Sequence, residues 1–247
     1  MARFILWPAA VAMIAFLSGC ADFTKQAYKP SHTEPIRKVL IATQTDFPKA
    51  SFGIDPKMAM MGLIGTTMSL STADGKTQTL DQVLAGQGAQ YHEQLLAELT
   101  SALQAGGISA QTIAVRRNED GGLAEDYQSM ASGRSVDAIL NIRVLQAGYG
   151  DAHAARDPGV RPILLLRARL ISAKTFEMLY ADAISYGYGG SLLDAREIRA
   201  SEKYYFRDTQ MVIIEKEKSA EGLRAAATEV AHFLAAQFTR QHSASNR

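Results

Sequence analysis

Apolar residues recur along this chain with two different periods, and the changes of period mark the elements. Val39-Leu40-Ile41-Ala42 is a short apolar run of strand length, closed by the polar Thr43-Gln44-Thr45-Asp46. From Leu80 to Ala105 the residues Leu84, Tyr91, Leu95, Leu96, Leu99 and Leu103 recur at spacings of three, four and seven. That stripe predicts a helix, with Gly106-Gly107 as its stop. Ile108 to Val115 alternates as a strand does, and a polar turn then leads to a weak helix over Leu123 to Ser132. In Val136 to Leu145, Leu140, Ile142 and Val144 point one way, and Asn141 and Arg143 the other. In Ile163 to Ile171, Leu164, Leu166, Ala168 and Leu170 share a face opposite Arg167 and Arg169. Glu177 to Tyr186 is a third strand. Near the C-terminus Ser219 is placed to cap a helix carrying Leu223, Ala227, Val230, Leu234 and Phe238. Between Leu192 and Lys218 neither period dominates, although Tyr204-Tyr205-Phe206 and Met211-Val212-Ile213-Ile214 have the character of packed residues.

This order predicts an α/β (α+β) fold: a small mixed, largely antiparallel sheet covered by helices, in one domain over residues 37–247. The alternation puts one sheet face on helices and leaves the other more polar. Arg143, Arg167 and Arg169 fall together on the polar face. Two roles fit them: a solvated surface ion-paired to Glu177 and Asp182, or a docking face for an acidic partner or an anionic polymer. The connection over residues 47–79 is long and rich in methionine and glycine. Met58, Met60, Met61, Leu63, Ile64 and Met68 form its apolar patch. That patch either completes the core or contacts a partner or membrane, since methionine surfaces re-pack easily.

Ahead of the folded part, Phe4 to Phe16 carries no charge and follows Arg3, the layout of a secretory signal too short to span a bilayer. Leu17-Ser18-Gly19-Cys20 comes next and resembles a bacterial lipobox. The resemblance implies cleavage after residue 19 and a lipid on Cys20, and Ala21 after the cysteine implies outer-membrane sorting. Residues 20–36, with Pro30 and Pro35, read as a polar tether. Cys20 is the single cysteine, so a lipidated chain keeps no thiol for a disulfide, zinc-thiolate site or nucleophile. The chain has 26 Lys and Arg against 25 Asp and Glu, and removal of Arg3 makes them equal. A balance of this kind argues against general nucleic-acid binding or polybasic recruitment.

Catalytic signatures are missing: there is no G-x-S-x-G elbow, phosphate loop or H-E-x-x-H motif. His92 and His232 sit within helical patterns, as packed or surface residues do. Asp151, His153 and Asp157 are the compact cluster of metal-ligand types, in a Gly/Pro-bounded loop that solvation explains equally well. The expectation is a protein that is not an enzyme and has no metal or cofactor.

Val136-Asp137-Ala138-Ile139-Leu140, followed by Arg167-Ala168-Arg169-Leu170-Ile171-Ser172-Ala173-Lys174-Thr175-Phe176-Glu177-Met178-Leu179-Tyr180, resembles a pattern in certain envelope lipoproteins. These are the curli-secretion channel lipoproteins, the lipoprotein activators of penicillin-binding proteins, and the N-terminal domain of the Tol-system translocation protein. The resemblance spans about Arg37 to Ser185. It departs at Phe176, where the hairpin usually carries glycine, and in the long connection over residues 47–79, onto which no channel residue can be carried. It implies a periplasm-facing outer-membrane scaffold or activator that binds another envelope protein. The alternative is a ring-forming subunit, a homo-oligomer, of a secretion or polysaccharide/fibre export assembly.

Overall fold

The computed structural model describes residues 24–29, 35–53, 70–71, 77–78, 80–87, 90–118, 123, 126–151, 159–188 and 194–239. Nine strands and five α-helices are formed there: β1 (Lys38–Gln44), β2 (Ser51–Gly53), β3 (Leu70–Ser71), β4 (Thr77–Gln78), α1 (Leu80–Ala85), α2 (Tyr91–Ala105), β5 (Ser109–Val115), α3 (Tyr127–Ala131), β6 (Ala138–Asp151), β7 (Val160–Ser172), β8 (Met178–Tyr186), β9 (Arg196–Ile198), α4 (Thr209–Ile214) and α5 (Lys216–Thr239). The main sheet runs β5-β1-β6-β7-β8-β9, with β2 continuing beside β6 beyond the end of β1. Its long central pairs, β6–β7 and β7–β8, are antiparallel, whereas β1–β5, β1–β6, β2–β6 and β8–β9 are parallel. The fold is therefore a mixed α/β sheet covered by helices.

The alternation over β6 and β7 determines which residues meet the helices. Leu140, Ile142, Leu164, Leu166, Ala168 and Leu170 point into one large core with Leu95, Leu99 and Leu103 of α2 and Leu223, Ala227, Val230, Leu234 and Phe238 of α5. Each of the three α2 leucines is 0% exposed, so each contributes roughly 2–3 kcal/mol through burial. The sequence reads one helix from Leu80 to Ala105, but the chain turns at 86–87 and divides it into α1 and α2. Ser219 does not cap α5, which begins at Lys216. Its buried hydroxyl instead donates to the carbonyl oxygens of Val212 (2.7 Å) and Glu215 (3.1 Å), sewing α4 to α5.

β2 reaches β6 only because residue 148 has no side chain. Gly148 has φ of +141°, and a Cβ there would lie 1.9 Å from the carbonyl oxygen of Ser51. On the opposite sheet face α3 covers a smaller cluster of Leu40, Ala42, Val115, Met130 and Ile139. Asp126 caps that helix by accepting a 2.6 Å hydrogen bond from the Ser129 amide.

The segment after Cys20 is partly held by the domain. Gln26 and Ala181 exchange two backbone hydrogen bonds (2.8 and 2.9 Å), and the Lys29 amide donates to Leu179 at 2.9 Å. The Tyr28 ring meets Phe238 edge-on at 5.5 Å. Among the described residues no helix is long and apolar enough to cross a membrane.

Candidate functional site: an arginine-bearing sheet face

The antiparallel register of β6 and β7 places Arg143 directly opposite Arg167, and Asn141 opposite Arg169. On the other flank Arg167 faces Ala183 and Arg169 faces Ala181 of β8. The three arginines singled out by the alternation therefore share one face, with small side chains beside two of them. Like charges directly opposite on neighbouring strands are destabilising.

A fourth guanidinium joins them. Arg117, just past the end of β5, donates through Nη2 to Asn141 Oδ1 and to the carbonyl oxygen of Ile142, both at 2.8 Å. Asn141 Nδ2 in turn donates to the Tyr127 hydroxyl at 2.9 Å. Burial, and then the charge of Arg143, lowers the pKa of Arg117 from the ordinary arginine value, with Tyr127 opposing them. Burial also lowers that of Arg167, followed by the charges of Arg143 and Arg169. Arginine stays charged despite such pressure, so the face is a fixed concentration of positive charge.

Apolar residues bound it at both ends. The α3-covered cluster closes one side, and Ile163, Leu165 and Tyr188 close the other. Arg161 lies on the same side of β7, 4% exposed, donating to the Tyr205 hydroxyl at 2.8 Å with its guanidinium 5.1 Å from that ring's centroid. Flat, forked guanidiniums on a rigid sheet suit carboxylate or phosphate groups, which they can bind in pairs of parallel hydrogen bonds.

The expected ion pairs to Glu177 and Asp182 do not form on this face. Asp182 pairs in register with Ala168 and so points to the opposite, core side. There it is nearly buried, in contact with Arg196 and 3.9 Å from Lys25. Glu177 lies in the β7–β8 turn, where it accepts from the Thr175 hydroxyl at 3.3 Å. The backbone of Asp151 ends β6 opposite Val160, while His153 and Asp157 lie outside the described residues. Cys20, Met58, Met60, Met61, Leu63, Ile64 and Met68 lie outside them as well. Among the described residues no group of three or more His, Cys, Asp or Glu is arranged to hold a metal. His92 stacks on Phe47 at 4.8 Å, and His232 sits 3.2 Å from Glu98.

No protein-family model matches the chain, and no curated protein matches it. Solved structures do. A PelC dodecamer from Paraburkholderia phytofirmans is 10% identical, covering 87% of this chain and 98% of that one, with a TM-score of 0.38. A Xanthomonas campestris protein of DUF330 is 14% identical over 90% of this chain and 96% of that one, with a TM-score of 0.39. Lipoprotein GNA1162 from Neisseria meningitidis is 13% identical over 60% of this chain and 81% of that one, with a TM-score of 0.31. At these identities and scores the likenesses carry no argument about partner or activity. The narrower resemblance to the curli, penicillin-binding-protein and Tol groups stays an expectation.

Proposed function

We propose that this chain is a non-enzymatic, lipid-anchored envelope protein facing the periplasm from the outer membrane, which binds a negatively charged surface of another envelope protein. The observation that carries the reading is the register that sets Arg143 against Arg167 with Arg169 beside them. Like charges set opposite each other on neighbouring strands repel, and an acidic partner would meet that face with attraction. The lipobox-like Leu17 to Cys20 supplies the anchor in this reading. Cys20→Ser should leave the protein unlipidated, and a variant still processed and membrane-bound like the unchanged chain would contradict the anchor. Reversal of Arg143 and Arg167 to Glu should abolish cross-linking to the periplasmic partner while the thermal melt stays in place. Unchanged cross-linking would remove the arginine face from the reading.

A second reading, a ring-forming subunit of an export assembly, has one observation on its side. β5 is an outer strand of the sheet among those described, and a second copy could extend the sheet there. Light scattering on the purified chain separates the readings. A discrete high-order species supports the ring, and a monomer at all concentrations supports the adaptor.

A further inference from the structure

Phe176, 42% exposed, and Met178, 36% exposed, flank the end of the turn between β7 and β8. The turn itself is well tied. The Phe176 amide donates to the Ser172 carbonyl at 3.0 Å, the Ser172 amide donates to the Glu177 carbonyl at 2.9 Å, and Ser172 Oγ accepts from the Lys174 (3.3 Å) and Thr175 (3.1 Å) amides. These bonds hold Phe176 at a φ of +58°, where glycine is at ease and a bulky side chain is strained. Folding thus gains nothing evident from a phenyl ring here: the backbone prefers glycine and much of the ring faces solvent. Strain kept at an exposed aromatic residue points to a contact outside the domain.

The charge around the turn identifies the contact. Strand starts and ends converge at this end of the sheet, because Lys38 begins β1, Ala138 begins β6 opposite Ser172 at the end of β7, and Met178 begins β8. The Ala173 amide donates to the Asp137 carbonyl at 2.9 Å, joining the turn to the loop before β6. The described loops here expose Lys29, Arg37, Lys38, Arg134 and Lys174 near only two acids, Asp137 and Glu177. Asp137 is already engaged, its carboxylate accepting from the Arg37 and Lys38 amides at 2.8 Å.

Distance adds a further constraint. Gln26 is held to Ala181 by its backbone and to the Met178 carbonyl by its side chain. Five residues lie between it and Cys20, a reach of at most about 20 Å. A lipid on Cys20 therefore keeps the edge of β8 close to the bilayer. Two apolar side chains are far too little for a stable protein interface, which needs about 800 Å² per partner. They are enough to supplement an anchor when basic residues surround them.

We propose that this turn is a second membrane contact, in which Phe176 and Met178 enter the interface of an anionic phospholipid bilayer while Lys29, Arg37, Lys38, Arg134 and Lys174 meet its headgroups. The proposal rests on the reading of Cys20 as lipidated. The test uses the full lipidated chain in vesicles containing about one-third phosphatidylglycerol, with Phe176→Trp as probe; the sequence's one tryptophan, Trp7, leaves with the cleaved signal, so no other indole emits. The expected result is a blue-shifted emission quenched roughly twofold or more by brominated lipid, with the quenching weakened by Lys29→Glu with Lys38→Glu or by phosphatidylcholine vesicles. Flotation of the same samples reports the anchor independently. Protein that floats while the introduced indole stays exposed to water overturns this proposal and leaves the anchor standing, and protein that does not float overturns both. A blue shift that grows with protein concentration without vesicles assigns the turn to a second copy and overturns it too. If Phe176→Trp alters the thermal melt, a nitroxide on Lys174→Cys measures the same immersion.

Discussion

The Tyr149 hydroxyl donates a 2.6 Å hydrogen bond to the carbonyl oxygen of Ser219, joining the far end of β6 to the first turn of α5. Burial pushes the phenol's pKa well above its ordinary value, so the group stays a neutral donor at any pH the protein meets. The bond is close to Gly222, where an added Cβ would lie 2.5 Å from the same hydroxyl and 3.1 Å from Tyr204. Tyr149→Phe should cost about 1–2 kcal/mol in urea unfolding, because a buried carbonyl loses its partner. Gly222→Ala should cost about 1–3 kcal/mol despite alanine's better helix propensity, because α5 must move off the sheet. A neutral result for both would mean that α5 sits loosely on β6.

Arg143→Glu should be neutral or stabilising by up to about 1 kcal/mol, since it replaces a like pair across β6 and β7 with an opposite one. Partner capture should fall at the same time. Denaturant melts and cross-linking on one preparation check both, and a clear loss of stability would show that the cluster has a structural role instead.

Asp182 is 3% exposed in its side chain, and its partners Arg196 and Lys25 are 46% and 39% exposed. Partners this open to water hold the loss below that of a fully buried pair. Asp182→Asn should cost about 1–3 kcal/mol and speed tryptic cleavage after Lys25 or Lys29. Cleavage at the unchanged rate would show that the backbone bonds to β8 suffice on their own.

Phe176→Gly should raise stability by about 1 kcal/mol, or roughly 2–4 °C in Tm, by relieving the backbone at φ +58°. It should also weaken the membrane contact. A fall in Tm would show that the ring packs more favourably than its exposure implies.

The period-2 pattern made the arginine face legible, because alternation within β6 and within β7 fixes which side chains share a side. It could not fix the parity of β8 relative to β7. One step of register exchanges Asp182 for its alanine neighbours, and the bulge between Leu170 and Ile171 is not encoded in any hydrophobic pattern. Arg117 escaped notice because it follows β5 in a polar stretch, and only the tertiary fold brings its long side chain to Asn141. The alternation read over Ile163 to Ile171 did not show that the start of this strand is covered on both faces, where Ile163 and Leu165 form their own cluster. Ser219 misled for a related reason: a serine near a helix start is equally suited to bond back to carbonyls, and its burial decides which role it takes.

The strip formed by residues 24–29 also gives the molecule a mechanical order of failure. If Cys20 is fixed in a membrane and the domain is pulled by a partner, the load enters at Gln26 and Lys29 and passes into β8 before it can reach β1. A few hydrogen bonds, one long ion pair and the edge of the Tyr28 ring against Phe238 resist it there. The strip should therefore peel away first, as a fuse, lengthening the leash under tension while the sheet bearing the arginines stays whole.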